Sequence, residues 1–213
     1  MCGSRCCNHA AFPDGPDNES LAIRCDLGTM AEFRQLYASV SIPRIHLRQT
    51  CMFTSDQIVD LLTELGITHV VYLPDSTLGQ WNDALHAASQ FTVVQVCREG
   101  EAWAVAAGLY LGGANPLVMI QCTGLFESGD ALRNAVHDFQ LPLFAIVGYR
   151  SYLNQETLPG DTCLKFTEPI LNAWELDYRL ITKPDQLDEI RNHYRACQSS
   201  ETPGVALLAE GRA

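Results

Sequence analysis

The sequence lacks the features that would direct it to a nucleic acid or a membrane. Its 213 residues include 14 Lys and Arg against 25 Asp and Glu, so the formal net charge is −11 and no basic stripe is available for a phosphate backbone. The longest apolar stretch, near residues 102–111, falls short of the roughly 20 residues that span a bilayer. No charged-then-apolar secretory segment opens the chain. We expect a cytoplasmic protein that binds neither nucleic acid nor membrane.

Several catalytic and nucleotide-binding motifs are also missing. There is no G-x-G-x-x-G after the first predicted strand and no G-x-x-x-x-G-K-[ST] anywhere, which excludes a dinucleotide fingerprint and a Walker loop. The G-x-S-x-G elbow of serine hydrolases is absent as well. No recognised ligand spacing links four of the histidines, so no metal ligand is predicted among them: His69, His86, His137 and His193.

Cysteine, in contrast, is abundant, with nine residues. Five are scattered among core-like residues, which predicts reduced, buried thiols: Cys51, Cys97, Cys122, Cys163 and Cys197. The tract MCGSRCCNH at residues 1–9 matches no recognised zinc pattern, although a metal site there is an alternative. We interpret residues 1–45 as a poorly ordered N-terminal extension, and Met30 as an alternative start of the working protein.

Residues 46–213 are predicted to form a single α/β domain. Helix and strand patterns alternate from Thr54, where Thr54 and Gln57 have the spacing of a capping box. Apolar strands joined by helices of about ten to fifteen residues are typical of a parallel sheet covered on both faces. We therefore predict an open six-stranded parallel sheet. Its third strand is expected to end at Gly124, residues 151–164 to form a long loop, and Pro169 to fall in the first turn of a helix.

Polar residues follow four of the predicted strands. In an open parallel sheet, ligands bind in the crevice beyond the carboxyl ends of the strands. We therefore expect a ligand site formed by the residues at those ends: Asp75, Ser76, Arg98, Glu99, Thr123, Gly124 and Arg150.

Glu99 is the most informative of these residues. It precedes GEAWAVAAGLYL, a helical segment without a polar face, and a helix that is apolar all round must be buried on all sides. The sheet covers one side, so a second subunit is predicted to cover the other. Glu99 would then lie at the rim of a subunit interface, largely out of water. Glu101 is interpreted as a cap that interacts with the positive end of the helix dipole.

These segments also resemble a known family. REGEAWAVAAGLYLGGANPLVMIQCTG, with LPDSTLGQWNDAL before it and LPLFAIVGYR after it, resembles the pyrimidine-binding domain of thiamine-diphosphate-dependent decarboxylases, above all the phosphonopyruvate and sulfopyruvate decarboxylases. The resemblance covers about residues 52–210. Glu99 lies nine residues before Gly108 of an A-A-G turn, the spacing that marks the superfamily.

The resemblance implies a role for each residue of the motif. Glu99 is expected to hydrogen-bond the N1′ atom of the cofactor's aminopyrimidine and so to activate thiamine diphosphate for attack on a 2-keto acid. Ser76, together with Asp75, is expected to face the reacting carbon. Thr123 and Gly124 are expected to lie alongside the pyrimidine.

Two loops depart from the phosphonopyruvate and sulfopyruvate enzymes. The segment NQETLPGDTCLKF at residues 154–166 has no histidine where those enzymes carry a histidine-containing motif, and Phe126 and Glu127 replace a glycine-asparagine pair. Arg98 or Arg150 is expected to pair with the second anionic group of a substrate such as sulfopyruvate or phosphonopyruvate. The departures leave open which 2-keto acid is used, and whether decarboxylation or carboligation follows.

The family's G-D-G motif, which binds diphosphate and Mg²⁺ in a separate domain, is absent from this chain. The resemblance therefore implies the alpha-type subunit of a two-subunit decarboxylase. A diphosphate-binding, beta-type partner would supply the Mg²⁺ site in a hetero-oligomer. Two alternatives are a catalytically silent interaction or regulatory subunit with the same fold, and half of an acetolactate-synthase-like carboligase.

Overall fold

The computed structural model describes residues 52–75 and 78–211, so the predicted extension at 1–45 and Ser76 lie outside the described residues. The strands are β1 His69–Tyr72, β2 Thr92–Gln95, β3 Pro116–Gln121, β4 Phe144–Tyr149, β5 Asp177–Ile181 and β6 Gly204–Ala209. The helices are α1 Ser55–Glu64, α2 Asn82–Ala87, α3 Glu99–Leu111, α4 Cys122–Glu127, α5 Gly129–Arg133, α6 Thr162–Ala173 and α7 Leu187–Ser200.

The six strands form one sheet in the order β2-β1-β3-β4-β6-β5, and every neighbouring pair is parallel. This confirms the predicted open parallel sheet. Strands β4 and β6 are buried along their whole length, whereas the edge strands β2 and β5 are partly exposed. The apolar runs of β3, β4 and β6 follow from burial on both faces of the sheet.

Helices cover both faces because successive side chains of each strand point to opposite sides. Val71 belongs to a core that α3, α5 and α6 cover, and Val70 belongs to a core that α1, α2 and α7 cover. The first of these helices begins as its sequence predicts. The Thr54 N–H donates to Gln57 Oε1 at 2.9 Å, and the Gln57 N–H donates to Thr54 Oγ1 at 3.3 Å.

Three local predictions are wrong. Strand β3 ends at Gln121, and the next residue already begins α4, so Gly124 lies in a helix rather than at a strand end. Helix α6 begins at Thr162, because Asp161 caps it, and Pro169 therefore lies inside the helix instead of in its first turn. Cys97 is exposed, whereas the thiols of Cys122, Cys163 and Cys197 are free and buried as expected. Cys51 lies outside the described residues.

The described residues contain no helix that is both long and apolar enough to cross a membrane.

Candidate functional site

The direction of chain progression reverses between β1 and β3. The connection from β1 leads outward to β2, and α3 then returns across β1 to β3, which lies on the other side of β1. A crevice forms at such a reversal, beyond the carboxyl ends of the strands, and ligands of open α/β sheets bind there. The segments after β1, β2 and β3 all reach this edge.

Glu99 opens α3 at this edge of the sheet. Arg98 precedes the helix as its N-cap residue, with an extended backbone, so α3 starts one residue earlier than the sequence predicts. The Glu99 side chain is half-buried and lies against Gly124 at the start of α4. A Cβ atom at position 124 would fall 2.3 Å from Glu99 Cγ and 2.7 Å from Oε1. Only a residue without a side chain leaves room for this carboxylate.

Glu127, at the end of the same helix α4, binds the first turn of α3. The Gly100 N–H donates to Glu127 Oε2 at 2.8 Å, and Arg98 Nε donates to Oε1 at 2.9 Å. These two bonds hold the pKa of the Glu127 carboxyl below its usual value, and the bond from the Gly100 N–H contributes more than the bond from Arg98. Sequence reasoning treated Glu127 as a departure from related enzymes and missed this positioning role. The signal available was an acid shortly after the third predicted strand, at the same sheet edge as the positive end of α3.

The neighbouring polar residues bind the backbone or each other. Glu101 accepts a hydrogen bond from the Cys97 N–H at 3.0 Å, which agrees with its interpretation as a cap. Thr123 is exposed, and its Oγ1 donates to Gln121 Oε1 at 3.2 Å. The two residues predicted to flank the pyrimidine therefore have different surroundings: Gly124 is buried against Glu99, and the Thr123 side chain is exposed.

The loop after β1 contributes Asp75, which is already engaged in the local fold. Its Oδ1 accepts the Leu78 N–H at 2.8 Å, and its carbonyl accepts the Gly79 N–H at 3.1 Å. Asp75 therefore initiates the 3₁₀ turn at Leu78–Trp81. Ser76, the other residue predicted for this loop, lies outside the described residues.

The two candidate arginines occupy different loops. Arg98 pairs with Glu127, and its side chain remains 76% exposed. Arg150 follows β4, where its Nε lies 3.6 Å from Asp161 Oδ2. Asp161 also accepts from Ser151 Oγ at 2.6 Å and caps α6 through the Cys163 N–H at 2.9 Å. Each guanidinium is thus held by one acid at the carboxyl edge.

The sequence model of thiamine pyrophosphate enzymes, described as the N-terminal TPP binding domain, matches residues 52–173, more than half of the chain. The chain belongs to the thiamine pyrophosphate enzyme family. Thiamine pyrophosphate is another name for thiamine diphosphate. The matched segment runs from before α1 to the end of α6, and it includes Glu99, Gly124, Glu127 and Arg150.

Relatives within the thiamine pyrophosphate enzyme family include named decarboxylases. Phosphonopyruvate decarboxylase of Streptomyces viridochromogenes is 30% identical over 165 residues, which cover 75% of this chain and 41% of the relative. The alpha subunit of sulfopyruvate decarboxylase from Methanococcus maripaludis is 24% identical over 135 residues, which cover 63% of this chain and 81% of the relative. The chain thus spans less than half the length of the phosphonopyruvate decarboxylases that it matches.

A solved member of the family has the same fold. The thiamine diphosphate-dependent 4-hydroxybenzoylformate decarboxylase of Rhodococcus jostii RHA1 superposes with a TM-score of 0.51 at 20% identity, over 73% of this chain and 29% of that one. At this identity the likeness supports the shared fold alone.

Proposed function

We propose that this chain is the alpha-type subunit of a two-subunit, thiamine-diphosphate-dependent 2-keto acid decarboxylase. One observation carries the proposal: the Glu99 carboxylate lies against Gly124 at the crevice between β1 and β3. A carboxylate that only caps a helix needs no glycine opposite it. The space that Gly124 leaves supports a carboxylate held ready for a bound heterocycle.

The residues at this edge fit an aminopyrimidine. When bound, thiamine diphosphate supplies a nucleophilic carbon and an electron sink for the loss of carbon dioxide. Glu99 would hold N1′ of the ring and accept and return a proton at a carboxylate oxygen. Gly124 keeps that oxygen accessible, and Glu127 fixes the turn of α3 from which Glu99 projects. Thr123 would flank the ring only through its backbone, since its side chain faces solvent.

The outer face of α3 supports a partner subunit. Ala104, Gly108 and Leu111 lie on one side of the helix, at the spacing that brings residues to a common face, and all three are exposed. Leu111 is 69% exposed. A partner docked on this face would remove it from water, and Glu99, which lies on the opposite, core-facing side of α3, would be shielded only if the partner also reaches the first turn of the helix.

The partner would also supply the metal. This chain has no G-D-G motif for diphosphate and Mg²⁺, and several relatives carry the name subunit alpha. We therefore assign Mg²⁺ and the diphosphate group to a beta-type subunit of a hetero-oligomer. Residues 46–213 would form the pyrimidine-binding domain, and residues 1–45 an extension outside it.

The substrate would be a small 2-keto acid with a second anionic group. Sulfopyruvate and phosphonopyruvate belong to this class, and relatives named for both acids support the choice. Arg98 and Arg150 are the cations placed to pair with the second anionic group, and Asp75 and Ser76 would face the reacting carbon. Each arginine would have to turn from its acid, Glu127 or Asp161, toward the substrate.

The test is carbon dioxide release from sulfopyruvate, phosphonopyruvate and pyruvate. The chain is purified together with a G-D-G-containing subunit, thiamine diphosphate and Mg²⁺. We expect Glu99→Gln to lower kcat by about 10²–10⁴-fold, the usual contribution of a positioned acid or base. The variant should still assemble with the partner, because glutamine preserves the volume of the side chain.

Glu101→Gln is the matched control, since it alters the same turn of α3 but a carboxylate that accepts only from the Cys97 N–H. It should retain turnover near that of the wild type. Equal rates for wild type and Glu99→Gln would refute the proposed role of Glu99. If the assembled wild-type complex binds cofactor without releasing carbon dioxide from any acid of the panel, the silent-subunit alternative replaces the decarboxylase. Carbon dioxide from pyruvate with acetolactate as the product would instead indicate the carboligase.

A further inference from the structure

A second cluster of polar side chains lies at the opposite, amino edge of the sheet. Asp177 is the first residue of the edge strand β5, and His193 and Cys197 are one turn apart on α7. One carboxylate oxygen, one imidazole nitrogen and one sulfur of this cluster all lie within 4.8 Å of one another. None of the three residues belongs to the site at the carboxyl edge.

Two of the three distances within the cluster are close to the edge of a metal coordination tetrahedron. His193 Nδ1 lies 3.7 Å from Cys197 Sγ and 3.8 Å from Asp177 Oδ2. Zinc bonds to sulfur, nitrogen and oxygen are about 2.0–2.3 Å long, so neighbouring ligand atoms around tetrahedral zinc lie about 3.5 Å apart. One ion fits between the three atoms if they draw together, by a few tenths of an ångström along the two measured distances and by up to about 1 Å between the carboxylate oxygen and the sulfur, which lie within 4.8 Å of each other.

The Nε2 atom of His193 is already hydrogen-bonded to the backbone. Nε2 lies 3.3 Å from the carbonyl oxygen of Asp177. A carbonyl only accepts, so the hydrogen bond places the imidazole proton on Nε2 and leaves Nδ1 with a lone pair. Cys197 Sγ lies 3.7 Å from Nδ1 and 3.9 Å from Nε2, beside the ring, so the ring must turn for Nδ1 to share an ion with the sulfur. Zinc-bound histidines are oriented in this way, by donation of the other ring N–H to a carbonyl or carboxylate.

Asp177 is oriented in a similar way from the solvent side. Its Oδ1 accepts from Arg179 Nη1 at 2.6 Å, and its Oδ2 faces His193. The Asp177 side chain is 56% exposed, whereas that of His193 is 1% exposed. An ion would thus enter past Asp177, and water would complete its fourth position.

The backbone next to the cluster is shaped for these side chains. Gly204 begins β6, and a Cβ atom there would fall 2.4 Å from Cys197 Sγ and 3.1 Å from His193 Nε2. The ring of Phe144 closes the inner side, with its centroid 5.3 Å from that of the imidazole. The thiol and the imidazole therefore occupy a gap that exists because residue 204 has no side chain.

We propose that Asp177, His193 and Cys197 bind a zinc ion that links the edge strand β5 to α7. A thiolate, an imidazole and a carboxylate form a ligand set that suits Zn²⁺ and not Mg²⁺ or Ca²⁺, which prefer oxygen. The thiolate and the carboxylate balance the charge of the ion. On binding, the Sγ–H bond of Cys197 breaks, the sulfur keeps the electron pair for the metal, and the proton leaves to solvent.

In the metal-free form the Cys197 thiol lies within 4 Å of both ring nitrogens of His193, and with the proton on Nε2 only Nδ1 can accept from it. Burial raises the pKa of the thiol and lowers the pKa of the imidazole, so both are neutral in that form at pH 7. Zinc therefore competes with one weak sulfur hydrogen bond and one proton. The two forms differ in metal content, in proton release and in thermal stability.

The test measures zinc and cobalt binding by the full chain in which Cys2, Cys6 and Cys7 are replaced by Ser, which removes the N-terminal cysteine cluster. We expect one zinc ion per chain after dialysis. Co²⁺ should give a thiolate charge-transfer band and the visible bands of tetrahedral coordination. Zinc should also raise the melting temperature, because a ligand that binds only the native state stabilises it.

Cys197→Ser should abolish the charge-transfer band and the zinc-dependent rise in melting temperature. Asp177→Asn should weaken zinc binding at least tenfold, since even the loss of an outer-sphere partner costs about 10–100-fold. Because Asp177 is exposed, its variant tests the site even if Cys197→Ser does not fold. Asp185→Asn and Cys97→Ser are the matched controls and should bind zinc as the parent chain does.

Two results would overturn the proposal. The parent chain would retain no zinc and show no thiolate band with Co²⁺, which would establish the thiol–imidazole pair as the resident form. Alternatively, zinc would bind with the same affinity in the parent chain and in Asp177→Asn and Cys197→Ser, which would place the metal elsewhere. Neither result would affect carbon dioxide release by the assembled enzyme, so the site at Glu99 is tested independently.

Discussion

Two glycines at opposite ends of the sheet have the same steric role in different surroundings. Gly124, beyond the carboxyl end of β3, leaves room for the Glu99 carboxylate, and Gly204, at the amino end of β6, leaves room for the Cys197 thiol. Glu99 is half-buried, while Cys197 and His193 are almost fully buried. The chain thus buries the polar side chains of His193 and Cys197 at its amino edge by itself, whereas its carboxyl edge exposes the surface that the proposed partner would cover.

The largest contrast is expected from alanine at each glycine. In Gly124→Ala the new Cβ would displace the Glu99 carboxylate, and a misplacement of about 1 Å at a catalytic group costs about 10²-fold in rate. We expect a loss of kcat of that size in the assembled enzyme. In Gly204→Ala the new methyl group overpacks the core, which costs about 1–3 kcal/mol of stability and lowers the melting temperature, while the folded fraction keeps its kcat.

Gly129→Ala is the control for both variants, because an added Cβ there meets nothing within 4 Å. Its kcat and melting temperature should match those of the wild type. The comparison fails if Gly124→Ala retains full activity or if Gly204→Ala loses kcat without losing stability. Steady-state kinetics and thermal melts on the same preparations make the distinction.

The second contrast concerns thiol reactivity. Cys97 is exposed at the carboxyl edge, whereas Cys163 and Cys197 are buried, and burial raises the pKa of Cys163 to about 12. Because the thiolate is the reactive form, we expect a maleimide to label Cys97 at least about tenfold faster than Cys163 or Cys197. Peptide mass spectrometry at timed quenches identifies each site. Labelling of Cys197 at the rate of Cys97 would show that the amino edge opens in the native protein.

The smallest effect is expected from Glu127→Gln. The lowered pKa of Glu127 means that its charged form stabilises the folded chain above the ordinary value of 4.5, and that this contribution disappears as the pH falls through the lowered folded pKa. The variant should therefore melt a few degrees below wild type at pH 7, with the gap closing in acid. Melting curves between pH 7 and pH 3 measure it. A gap that stays constant with pH would mean that the carboxylate charge does not fix the first turn of α3.

Hydrophobic pattern was sufficient to predict the sheet. The uninterrupted apolar runs of β3, β4 and β6 indicated strands buried on both faces, and the structure places them at the centre of the sheet. The capping box at Thr54 was also visible, because it depends on residues only three positions apart. Interactions between residues this close in the sequence can be predicted without knowledge of the tertiary structure.

The contacts that define the sites depend on residues far apart in the sequence. No pattern reveals that Gly124 faces Glu99, or that Glu127 binds the first turn of α3, because folding brings these residues together. His193 and Cys197, four residues apart on α7, offered a helical spacing that sequence reasoning passed over, and Asp177 joins them only through the pairing of β5 with β6. Asp161 is a residue type that commonly caps helices, and because this cap was overlooked, the predicted start of α6 was too late in the sequence.

Helix α3 carries the acid at one end and its exposed small-residue face along the outside. A helix of 13 residues shifts as a rigid unit, so a protein that binds Ala104, Gly108 and Leu111 would also shift the position and orientation of Glu99. In the proposed enzyme, docking of the partner would therefore also adjust the position of the acid. Under the proposed function, the chain alone would hold Glu99 against Gly124, and the partner would set its final orientation toward the cofactor.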